Sequence, residues 1–84
     1  MNVKLIEQLI LEQGYALDGI NIDYDIMPCE YRIEVTLIAG NMEMISFKKA
    51  YSDTSEDNIF DFGTDLSALG HIFVMLAQKK EEDK

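Results

Sequence analysis

The sequence predicts an α+β domain, with one N-terminal helix packed on a largely antiparallel sheet of about five strands. Three observations support this. Val3, Leu5, Ile6, Leu9 and Ile10 recur at the spacing of one helical face. Ile20, Ile22, Tyr24 and Ile26, and then Tyr31, Ile33, Val35 and Leu37, alternate with polar residues as strands do. Turn signals punctuate the chain between these runs. Its 84 residues have room for one modest core. There is no repeat, linker or low-complexity block, so residues 1–84 form a single domain, with 79–84 expected as a frayed tail.

Taken in order, Asn2 is placed to cap the helix and Gly14 to stop it. Asp18-Gly19 signals a turn. In the strand that follows, Asp23 and Asp25 share the polar face, with Cα atoms about 6.5–7 Å apart. Pro28 ends this strand or opens a turn. The β-branched Ile33, Val35 and Thr36 favour a strand over a helix in the next run. Ala39-Gly40-Asn41 then turns the chain. Met42 to Lys49 returns as the hairpin partner, with Met44 facing opposite to Ile45 and Phe47. Beyond an acidic loop, Asn58 to Phe62 is expected as a short strand broken by Gly63. Leu66 to Leu69 suits a single helical turn. Periodicity leaves His71 to Leu76 open between strand and helix, while Ala77 to Glu82 is helical by propensity.

Charge narrows the functional classes. The net charge is −9, and the tail 79–84 is neutral, so all of it resides in residues 1–78. Direct nucleic-acid binding needs a basic footprint, which is missing. The charge instead points to a basic partner, or simply to solubility. Hydrophobic residues make up 48%, which suits a packed fold rather than a disordered chain. Cys29 is the sole cysteine, which fits a reducing compartment. No apolar run reaches transmembrane length and no signal-peptide pattern opens the chain, so a cytoplasmic location and no membrane contact are expected.

Nothing specific points to catalysis. His71 and Cys29 lack a third residue to complete a nucleophilic set. Asp53, Ser55 and Asp57 begin like a calcium loop, but Asn58 stands where that loop needs glycine and Thr64 where it needs a bidentate glutamate. No glycine-rich phosphate loop is present. The expectation is a protein that is not an enzyme and has no metal and no cofactor.

The most informative stretch is Ala50 to Asp65, AYSDTSEDNIFDFGTD, which holds five acids and no Lys or Arg. Its Ala50-Tyr51, the run of Ser, Thr, Asp and Glu residues through Asp57, then Asn58-Ile59 and Asp65 resemble the phage uracil-DNA glycosylase inhibitors, small acidic proteins that mimic DNA. Met27-Pro28-Cys29-Glu30, following an acidic strand, is a second and weaker echo. The resemblance implies a strand over His71–Leu76. It implies an acidic contact set of Asp23, Asp25, Glu30, Asp61 and Asp65. It also implies an apolar pocket for the leucine that the glycosylase wedges into DNA, for which Met27, Met44, Phe62 and Met75 are the candidates; the alternative role of these methionines is core filling. The family has a helix after its proline, where this sequence reads as strand.

The function expected is stoichiometric, 1:1 inhibition of uracil-DNA glycosylase by a phage protein in the bacterial cytoplasm, with the acids lining the enzyme's basic groove. Carboxylates along a strand suit a groove built for phosphates, which are spaced roughly 3.4 Å apart per strand. Two alternatives stand beside it. One is an acidic DNA mimic aimed at another nuclease, a restriction or CRISPR effector, which shares the charge but needs no leucine pocket. The other is an acidic structural adaptor, with apolar strand faces as subunit contacts.

Overall fold

The computed structural model describes residues 1–82. The order of elements is α1 (Val3–Leu11), β1 (Ala16–Asp25), β2 (Glu30–Ile38), β3 (Met44–Ser52) and α2 (Glu56–Glu82). The three strands form an antiparallel meander, β1-β2-β3, with β2 in the centre. The α+β class and the N-terminal helix agree with the sequence reading. The sheet has three strands, where about five were expected.

The first half follows the local signals. Asn2 Oδ1 accepts a hydrogen bond from Leu5 N at 3.1 Å, and α1 buries Ile6 and Ile10. Gly14, at φ +77°, takes the left-handed conformation that turns the chain into β1. Asp18-Gly19 is not a turn. It is a bulge inside β1, where the register slips between Leu17 and Gly19. One extra residue is absorbed by the strand instead of reversing it. The chain reverses at 26–29, where Asp25 Oδ1 accepts from Met27 N at 3.1 Å and Cys29 lies at φ 67°. The run after Pro28 is strand β2, as its β-branched residues require. Met44 faces away from Ile45 and Phe47, also as expected.

The second half departs from expectation. Asn58–Phe62 and His71–Leu76 are not strands, and Gly63 breaks nothing. All lie in α2, whose 27 residues span about 40 Å, close to the 44 Å long axis of the molecule. Ser55 starts this helix: its Oγ accepts from Asn58 N and its carbonyl from Ile59 N. Glu56 and Asp57 in the first turn, and Lys79 and Lys80 in the last, suit the helix dipole. Lys79 to Glu82 lie within α2, and the rest of the tail expected to fray, 83–84, lies outside the described residues. By length and composition α2 could cross a membrane, but here one of its faces completes the core.

That core is Ile6 and Ile10 of α1, Ile33, Val35 and Leu37 of β2, Tyr51 of β3, and Leu69 and Ile72 of α2. Alternate residues of the central strand therefore face both helices. Helix α2 packs on β3 and α1, and no residue of β1 is buried. The apolar row of β1, expected to be covered, leaves Ile20, Ile22 and Tyr24 at 39%, 47% and 42% exposure.

Candidate acidic interface

A three-stranded meander brings its first and third connections to the same end. The β1–β2 turn (26–29) and the β3–α2 connection (53–55) therefore meet, and Asp53 N donates to the Cys29 carbonyl at 3.0 Å. Asp25 pairs with Glu30 across the first hairpin, and Glu30 with Ser52 across the second. Asp25, Glu30, Asp53, Glu56 and Asp57 thus gather at one end of the sheet. Asp61 follows Asp57 one turn along α2 and is exposed.

An aromatic row braces this end on the helix-facing side. Tyr24 lies 4.8 Å from Tyr31, Tyr31 stacks on Phe62 at 4.7 Å, and Phe62 meets the edge of Tyr51 at 5.3 Å. Tyr24 Oη donates to Asp53 Oδ2, tying the edge strand to the acidic connection. That bond, followed by desolvation, raises the Tyr24 pKa above the ordinary tyrosine range.

The predicted acids fall into three situations. Asp23 and Asp25 share the open face of the sheet, as expected, yet they are not a bare row of charge. Arg32, opposite Asp23 in β2, reaches Asp23 at 3.1 Å and Asp25 at 3.3 Å. The bond to Asp23 is the main reason the Arg32 pKa is raised. Glu30 and Asp61 are available at the acidic end. Asp65 is turned inward, half-buried, where it accepts from Tyr51 Oη and from the Met1 amino nitrogen at 3.1 Å. Burial first, then the bond to Asp65, pushes the Tyr51 pKa upward. Asp65 is therefore a structural acid.

The four candidates for a pocket do not converge. Met27 sits in the β1–β2 turn, 82% exposed, and Met44 opens β3 at 59% exposure. The nine residues of β2 separate those two ends, about 27 Å at strand rise. Phe62 is held between Tyr31 and Tyr51. Met75 lies thirteen residues further along α2, about 20 Å by helical rise.

Asp53, Glu56 and Asp57 were legible as acids but not as site residues. The missing signal was topology: two hairpins sharing β2 must return the chain beside Glu30. Among the described residues, the ion pairs are Met1–Asp65, Arg32–Asp23, Arg32–Asp25 and Lys48–Glu34. Asp53, Glu56 and Asp57 take part in none of them, whereas Asp25 shares Arg32 with Asp23. Compared with protein-family models, curated proteins and solved structures, the chain matches none.

Proposed function

We propose that this chain is a stoichiometric protein inhibitor that mimics DNA and occupies the basic DNA-binding groove of a DNA-processing enzyme. The observation behind this reading is the gathering of Asp25, Glu30, Asp53, Glu56 and Asp57 at one end of the sheet where, among the described residues, Arg32 is the basic side chain that pairs. At the far end of α2, Lys79 and Lys80 are offset by Glu81 and Glu82, whereas the junction is acidic. A basic groove would draw in the acidic end first. Steering of this kind brings association to on the order of 10⁸ M⁻¹s⁻¹ at low salt.

Two target classes follow. Uracil-DNA glycosylase rests on the resemblance of Ala50–Asp65, and further calls for an apolar pocket to take the leucine wedge. The dispersal of Met27, Met44, Phe62 and Met75 favours the second class, a DNA-cutting nuclease such as a restriction or CRISPR effector, whose groove demands charge alone. Titrating uracil excision and DNA cleavage with the purified protein tests both. The expectation is loss of one activity, complete at one inhibitor per enzyme. Full activity of both enzyme classes in large molar excess of the protein would refute the mimicry.

A further inference from the structure

The two edges of the sheet are treated differently. The β3 edge carries Lys48 and Lys49, an ordinary way of blunting an edge, and α2 packs on that strand. Among the described residues no strand lies beyond the β1 edge, and Ala16–Asp25 holds no Lys, Arg or Pro. Below the bulge, Gly19 to Asp25 pair in unbroken register with β2, so their outward N–H and C=O groups form a regular free template. On one side of this edge stand half-exposed Ile20, Ile22 and Tyr24. On the other stand Asp23 and Asp25, two carboxylates sharing the single guanidinium of Arg32.

We propose that β1 is a docking edge for an extended segment of a basic partner, added as a fourth strand. The segment would alternate apolar residues, set against Ile20, Ile22 and Tyr24, with Lys or Arg set beside Asp23 and Asp25. Main-chain hydrogen bonds would supply affinity and the alternation would supply specificity. Charge selects this occupant over a second copy of the chain. Two copies each carrying −9 repel one another, so the charge acts against self-pairing while attracting a basic strand. The inference shares with the proposed function the premise that the partner is basic, and adds the manner of contact.

The test uses the full chain and a short synthetic peptide alternating valine and lysine over the length of β1. Two controls are a peptide of the same composition with its lysines contiguous and an alternating valine–glutamate peptide. Binding is followed by anisotropy, and its location by amide hydrogen exchange. The alternating basic peptide should bind and protect the outward amides of Gly19–Asp25, and both controls should bind at least about tenfold more weakly. Ile22→Lys, at an exposed position, should lose roughly tenfold in affinity while keeping its circular dichroism. Should that variant unfold, the exchange map on the unaltered protein decides alone. Equal binding of the contiguous-lysine peptide, or protection confined to the 53–57 region, would overturn the proposal. So would a dimer of the chain that the alternating peptide dissolves, because the occupant would then be a second copy. No DNA enzyme is present, so failure here leaves the inhibition test standing, and failure of inhibition leaves this one standing.

Discussion

Asp65 belongs to the stretch on which the family resemblance rests, yet it is spent inside the fold, and Asp65→Ala separates those two roles. The carboxylate is 17% exposed and accepts from both Met1 N and Tyr51 Oη. Hydrogen bonds to a charged group contribute about 1.5–3 kcal/mol each. The Met1 contact is discounted for partial exposure, which leaves about 2–4 kcal/mol in total. The loss also strands the hydroxyl of Tyr51, a residue only 1% exposed. For a domain of this size the melting temperature should fall by roughly 10–20 °C. Urea unfolding followed by circular dichroism measures this directly, with an unchanged denaturant slope if the native state is otherwise intact. Well below the variant's midpoint, association with the target should proceed at the normal rate. A stability loss under about 0.5 kcal/mol, together with slowed association, would show that Asp65 faces a partner and refute this assignment.

Other expectations follow from the same structure. Glu56→Lys with Asp57→Lys should slow association about tenfold or more at low salt. Reversing Asp23 and Asp25 should slow it less, since Arg32 already offsets part of their charge; equal slowing would mean that only net charge matters. Gly63→Ala should raise stability by about 0.5–1 kcal/mol, because the added Cβ meets nothing within 4 Å; destabilisation would contradict a helix there. Alkaline pH should weaken the fold through Tyr51. Its folded-state pKa lies above the unfolded value of about 10, so its contribution is complete below that pH and is lost as pH rises toward the folded value. The urea midpoint should fall as pH rises above about pH 10, with that fall reduced in Tyr51→Phe. A fall of the same size in that variant would assign the effect elsewhere.

The first fifty residues were largely legible because each element there has a local cause. Asn2 caps, Gly14 stops, and the period-two runs of β1 and β2 admit little else. The exception is Asp18-Gly19, whose turn chemistry was absorbed as a bulge because pairing with β2 continues on both sides. The chain after Asn58 misled because Ile59, Phe60, Asp61 and Phe62 are too short a run to show a period. Extended to Leu76, the run shows one: Phe62, Leu66, Leu69, Ile72, Phe73 and Leu76 recur at three and four, and their burial outweighs the helix cost of Gly63 and Gly70. The site was legible in composition and not in arrangement. That Arg32 would straddle Asp23 and Asp25, and that Asp53 would lie beside Cys29, depend on strand register and on which connections share an end.

The central claim is that the acidic end takes the place of DNA in an enzyme's groove, and competition with DNA tests it most directly. A fluorescent duplex bound to a uracil-DNA glycosylase, and in parallel to restriction and CRISPR nucleases, is titrated with the protein while anisotropy is read. Displacement from one enzyme should be complete at equimolar protein, with an association rate that falls steeply as salt screens charges beyond about 8 Å. The Glu56→Lys, Asp57→Lys variant should displace the duplex poorly. DNA that stays bound to every enzyme at large excess of the protein, or displacement that the double reversal leaves untouched, would contradict the account.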